Sequence, residues 1–317
     1  YARLLRLMQA GLTDLQRQVP NAPWKSARAA FYLSLPHPHR VHTGVNLMLD
    51  EEEQKRKTEE AKEVEKQSLD QGVPQRLLEN AARLCGWSGR PALRFVAMSG
   101  HTGVAEALQR AVKDLLLGQI DLAIVGGVDS LLEESTLAWL LSTGRLKTPN
   151  VPAGIQPGEA GVFLLLEPNR RAKSHESISC GILHNVCIVE NKQTLLSGDP
   201  PLGIGLADAV NGISESAGWE EGQPVWLITD QNGEPSRAVE WGNAISRLVG
   251  SSRVYTSPVL WYPAVSFGDT GAAIGGMSLC MAFNAFLRGY SPADNVCIIL
   301  SSEGSLRSAI LIKTPGS

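Results

Sequence analysis

The chain has 317 residues, of which 43% are hydrophobic and 19% charged, with 31 glycines and a formal net charge of −3. That length suits one large α/β domain or two fused halves, and the near-neutral balance gives no electrostatic case for nucleic acid or an anionic membrane surface. No apolar run approaches the roughly 18–20 residues that span a bilayer. Apolar residues at three- and four-residue spacing predict a helix over 3–18, and Ala29–Leu35 reads as a strand stopped by Pro36. The chain opens at Tyr1 inside this amphipathic pattern, so an N-terminal piece is expected to be missing from the sequence, and no signal peptide is evident in what remains. Residues 50–67 form a dense mixed-charge run, read as a solvated helix or insertion with a partner-binding arm as the sharper alternative.

Further along, a helix is predicted over 71–86, a strand over 92–98, a helix over 103–117 and a strand over 121–127. This alternation implies parallel strands with crossover helices. Val162–Glu167 reads as an antiparallel strand closing a first half, 1–170. A second half, 171–317, repeats the order: strand 178–189, helix 203–217, strand 225–229, helix 236–249, helix 270–287, strands 296–301 and 307–312. Five cysteines (Cys85, Cys180, Cys187, Cys280, Cys297) lie in apolar segments with no CxxC pairing, which points to a reducing, cytoplasmic compartment rather than a disulfide framework or zinc site.

The most specific pattern starts at Asp121-Leu-Ala-Ile-Val125, continues through Gly126-Gly127-Val128-Asp129-Ser130, then Pro157-Gly158-Glu159-Ala160-Gly161 and Val162-Phe-Leu-Leu-Leu-Glu167-Pro168. It resembles the stretch that β-ketoacyl synthases of the thiolase superfamily carry after their catalytic cysteine. The resemblance runs from about residue 92 to 313 and implies a thiolase-like α/β fold, two similar β/α halves in a five-layer α-β-α-β-α arrangement. It also fixes where the family's Cys-His-His set should fall. In the family the cysteine precedes the Asp of that strand by about the separation between His101 and Asp121, so His101 stands at the nucleophile's position. The turn after strand Val225–Thr229, where the family carries its first histidine, begins at Asp230, with Glu240 at the place of a downstream Glu. Gly268-Asp269-Thr270-Gly271-Ala272-Ala273-Ile274-Gly275 matches the second histidine motif, with Asp269 in the histidine's place. Ser301–Arg307 replaces the glycine-rich loop whose phenylalanine gates the acyl pocket.

A Claisen condensation needs a thiolate to accept the acyl chain, and ionised carboxylates cannot donate hydrogen bonds to a developing enolate. The resemblance therefore implies a degenerate active site. Three readings follow: a scaffold, accessory or adaptor protein; an acyltransferase-like enzyme with a new His/Asp/Asp site, joined by Ser99, Glu234 and Thr270 as pocket neighbours; and a metal site of one imidazole among carboxylates. The first is preferred, with no cofactor or metal. Taken singly, His101, Asp230 and Asp269 also suit ordinary capping and hydrogen-bonding roles. The family likeness implies a homodimer or a heterodimer with a homologue, with strand 92–98 at its edge. An acyl carrier protein or an effector is the further candidate partner, because degenerate thiolase-like proteins accompany bacterial type VI secretion effectors as well as fatty-acid and polyketide synthesis. Weaker signals are His37, His39 and His42 between prolines, read as a surface loop, and Leu202-Gly-Ile-Gly-Leu206, a poor nucleotide motif. Ser99 and Ser266 lack the context of a hydrolase nucleophile.

Overall fold

The computed structural model describes residues 1–19, 28–38, 40, 51–87, 90–169, 179–194, 199–221 and 224–315. The expected junction at 170/171, the expected strand start at residue 178, and His39 and His42 lie outside them. Two mixed sheets carry the structure. The first has the order β2-β1-β3-β4, with β1 Ala29–Ser34, β2 Leu93–Ala97, β3 Leu122–Ser130 and β4 Glu159–Leu166. β1 pairs in parallel with β2 and β3, while β4 runs antiparallel to β3. The second sheet has the order β5-β9-β8-β6-β7, from Ile182–Glu190, Trp226–Thr229, Val259–Trp261, Asn295–Ser301 and Leu306–Lys313 numbered in chain order. β6 is parallel to β7 and β8; β9 is antiparallel to β8 and β5.

Strand alternation explains the layering, because successive side chains point to opposite faces. In β1, Ala30 and Tyr32 face a central core while Phe31 and Leu33 face an outer one. In β8, Val296, Ile298 and Leu300 face the same central core, and Cys297 and Ile299 face a third. Helices fill each layer. α1 (Ala2–Gln18) and α3 (Val73–Leu84) cover the first sheet through Met8, Leu12, Leu77 and Leu78. α4 (Gly103–Leu116) and α9 (Ile274–Arg288) lie between the sheets, supplying Val104, Leu108, Ile274 and Leu279. α6 (Ile204–Ala217) and α7 (Pro235–Ser251) cover the second sheet. The result is the five-layer α-β-α-β-α arrangement of a thiolase-like fold.

The charged run forms α2, Glu51–Asp70, which the segment from 50 to 67 anticipated in part. Its exposed face carries intrahelical pairs such as Lys62–Glu59 and Arg56–Glu60. Three short elements have no counterpart in the sequence reading: α5 (Glu134–Ser142), β7 and α8 (Pro263–Phe267). Cys180 is exposed rather than buried, and all five cysteines are unpaired thiols.

Candidate functional site

The two helices of the central layer begin in the same region, and a glycine of β3 makes this possible. A Cβ on Gly127 would fall 2.8 Å from the Ala272 carbonyl oxygen and 2.9 Å from Ala273 Cα, so only glycine lets the start of α9 lie against the strand. Asp129 then reaches across: its Oδ2 accepts the Ala272 backbone N–H at 2.8 Å, and Arg40 closes on it through two guanidinium nitrogens. The loop 156–158 runs beside the entry to α9, with Asp269 N–H donating to the Gln156 carbonyl and Gly158 N–H to the Asp269 carbonyl. The Pro-Gly-Glu-Ala-Gly motif thus fixes the backbone of Asp269.

His101 sits in a short 3₁₀ turn, Gly100–Thr102, that leads directly into α4. Asp230 follows the end of β6, and Asp269 precedes α9. The three positions taken from the motif resemblance meet. His101 Nδ1 lies 2.7 Å from Asp230 Oδ2, and Nε2 lies 3.0 Å from Asp269 Oδ1. All three residues are buried. An ionised carboxylate only accepts hydrogen bonds, so both ring nitrogens must donate, and the geometry selects the imidazolium. Burial opposes that charge; the attraction of Asp269 and the hydrogen bonds to both carboxylates outweigh burial and the nearby Arg237, pushing the imidazole up to about 9. The Asp269 carboxyl resists ionisation through burial, yet His101 holds it far below the usual carboxylate range. Asp230 is likewise lowered, burial being overcome chiefly by Arg237 and then by His101.

A wider set of charges surrounds these three. Arg237 Nη1 donates to Asp230 Oδ2 at 3.0 Å and to the Ser301 carbonyl at 2.7 Å, and the Ser301 N–H donates to the same Asp230 oxygen. Asn232 donates to Asp269 Oδ2 at 2.7 Å and to Glu234 Oε2 at 3.2 Å. Arg145 grips Glu234 through Nε and Nη2, and Glu303 through Nη2. Glu240 binds Arg307 Nε at 2.6 Å and the Ser301 hydroxyl at 2.9 Å. Of the expected neighbours, Glu234 joins the network. Thr270 is fully buried next to Asp269, and its hydroxyl has no hydrogen-bond partner among the described residues. Ser99 does not join: its hydroxyl donates to Glu106.

Chemically, this arrangement has neither a thiol nor an uncommitted imidazole nitrogen. Among the described residues, no group of three or more His, Cys, Asp and Glu has the geometry to hold a metal ion. Arg145, Asn232, Arg237 and Glu303 went unread in the sequence. Their signal was indirect: a carboxylate in place of each histidine calls for a compensating cation, and Arg237 lies seven residues beyond Asp230 in the first turn of α7.

Comparison with known proteins bears on the fold and on one stretch of the sequence. A family model described as the N-terminal domain of β-ketoacyl synthase matches residues 41–172, the stretch holding His101 and the Gly126-Gly127 strand. Curated 3-oxoacyl-[acyl-carrier-protein] synthase 2 proteins of Mycobacterium tuberculosis and Mycobacterium bovis are 26% identical over 184 residues, 54% of this chain and 43% of each relative. Over residues 41–172 the chain is therefore similar to the N-terminal domain of β-ketoacyl synthases. It spans less than half the length of those two synthases. Among solved structures, an acyl-carrier protein of a type II polyketide synthase in complex with its ketosynthase bound to the hexaketide superposes with a TM-score of 0.70. That match has 13% identity and covers 98% of this chain and 85% of the other. The ishigamide ketosynthase/chain length factor gives 0.66 at 15% identity, covering 91% and 76%. A ketosynthase from module 6 of the bacillaene synthase of Bacillus subtilis gives 0.65 at 16%, covering 92% and 53%. These structures share the fold. The family match ends before Asp230 and Asp269, so these carboxylates are placed by the chain's own geometry.

Proposed function

We propose that this chain is a catalytically inactive member of the ketosynthase-like group that works as a cytoplasmic scaffold or accessory subunit. The observation that carries this reading is His101: at the place of the nucleophile stands a buried imidazole with both nitrogens engaged by carboxylates. Such a group has no lone pair with which to attack a thioester or accept a proton. Arg145 and Arg237 with their glutamates occupy the surroundings, so the site is packed with paired charge. The likeness to a ketosynthase/chain length factor supports a heterodimer with an active homologue; an acyl carrier protein or a secretion effector is the next partner to try. The outer edge of β2, which has no strand beside it among the described residues, is the proposed contact.

The test has two arms. The chain is incubated with acyl-acyl-carrier-protein thioesters and read by intact-protein mass spectrometry, then mixed with a ketosynthase from the same genome and read by native mass spectrometry. No acyl adduct and a mixed dimer are expected. An acyl group found on the chain, or turnover that survives purification and disappears in His101→Ala, would overturn the inactive reading in favour of an acyltransferase-like enzyme using the His/Asp/Asp set.

A further inference from the structure

Seven charged side chains follow one another through the molecule with alternating sign. Asp269 meets His101 at 3.0 Å and His101 meets Asp230 at 2.7 Å. Asp230 meets Arg237 at 3.0 Å, and Arg237 meets Glu234 at 3.7 Å. Glu234 meets Arg145 at 2.6 Å, and Arg145 meets Glu303 at 2.6 Å. His101 and Arg145 come from the half that builds the first sheet; the other five come from the half that builds the second. Four of the six links, those made by His101 and by Arg145, therefore cross from one half to the other. Asn232 bridges Asp269 to Glu234 and closes the first five groups into a ring, from which Arg145 and Glu303 branch.

We propose that this ring with its branch is a latch holding the two β/α halves together, and that it is engaged only while His101 is protonated. With His101 as a cation, three positive groups face four carboxylates. With His101 neutral, two guanidinium groups face the same four, and one ring nitrogen turns a lone pair toward an anion. A buried charge stripped of its partner is strongly destabilising, and here that loss falls on contacts between halves. The groups facing His101 are Asp230 at the end of β6, Asp269 ahead of α9, Arg237 on α7 and Glu303 on the β8–β9 turn. On its own helix, Glu106 is turned to Ser99. The raised imidazole, about 9 against the ordinary 6.5, sets the direction. A folded value above the unfolded one gives stabilisation that is complete below about 6.5 and is lost as pH rises through about 9. The latch rests on the pairing of these side chains and not on whether the chain is inactive, and its readouts are taken with no acyl donor present.

The decisive experiment is amide hydrogen exchange of the whole chain between pH 6.5 and 9.5, corrected for the intrinsic pH dependence, with ¹⁵N-histidine NMR on the same samples. The expected result is a doubly protonated His101 at pH 7.5. Protection around residues 100–104, 228–232 and 269–275 should then fall together by roughly a hundredfold as the imidazolium titrates. His101→Gln, which cannot carry the charge, should lack that pH dependence; Asp230→Asn serves as the second variant if it folds poorly, and should move the NMR midpoint down. A neutral His101 at pH 7.5, protection flat across the range in the wild type, or an unchanged slope in His101→Gln would each overturn the proposal.

Discussion

Between Asp230 and Asp269, the His101 ring takes part in two charge-assisted hydrogen bonds, which are stronger than neutral ones, and each carboxylate is further tied by Arg237, Asn232 or a backbone N–H. Removing one partner should reveal how tightly the set is coupled. Asp269→Asn keeps the shape but deletes the main attraction acting on His101, so the imidazole midpoint should drop clearly below about 9 in a histidine NMR titration; an unmoved midpoint would show that Asp269 does not hold the proton. Arg237→Ala leaves Asp230 and Glu234 as buried anions and should cost about 3–5 kcal/mol in urea denaturation. The exposed Arg28–Asp121 pair, by contrast, should tolerate Arg28→Ala with little change. At this scale the sequence motifs located His101, Asp230 and Asp269 because glycine and strand patterns number those positions. Arg145 and Arg237 were not legible, since a buried arginine is spelled like a surface one and only the fold reveals that it is enclosed.

The elements that place these side chains are held by close approaches as much as by burial. β3 touches the entry to α9 through Gly127, and the Asp129 carboxylate holds the 3₁₀ turn Gly271–Ala273 ahead of that helix, so adding one methyl group at that crossing should be felt at Asp269 as well. Gly127→Ala is expected to lower stability by about 1–3 kcal/mol through overpacking, measured by thermal denaturation, and to broaden the His101 NMR signal; a silent substitution would mean the strand and helix can part without disturbing the site. Long periodic elements such as α1, α4 and α9 were readable because apolar residues recur on one face, and β1 and β3 because apolar runs end at Pro36 and Asp129. β7 and α8 were missed because three and five residues hold too little pattern to register, and α5 because its cap, Glu133, makes no side-chain cap hydrogen bond and offers no start signal. The charged run resolved to α2 because i,i+3 and i,i+4 pairs support a helix that buries little beyond Ala61.

For the whole molecule, the layering puts edges and cores in unequal positions. Both faces of the central layer are covered by sheets, so α4 and α9 are enclosed. The first sheet, however, ends at β2, whose far side has no strand beside it among the described residues. An open parallel edge presents a row of backbone donors and acceptors ready to pair with another chain. Its side chains are only partly enclosed: Leu93, Phe95 and Val96 are half-buried and Arg94 is exposed. A stable association through this edge would need to bury on the order of 1,000 Å² or more, far beyond what five residues supply. The neighbouring turn at Ser99–Thr102 and the flank of α4 would then have to contribute, which brings a partner close to His101. The expected outcome is that β2 amides slow their hydrogen exchange as the chain concentration rises, or when an active ketosynthase is added, while β7 at the edge of the second sheet does not change. Sedimentation velocity on the same samples should show the matching increase in mass. Exchange at β2 that is independent of concentration and of the added synthase would remove this edge as the contact and move the search for a partner to another face.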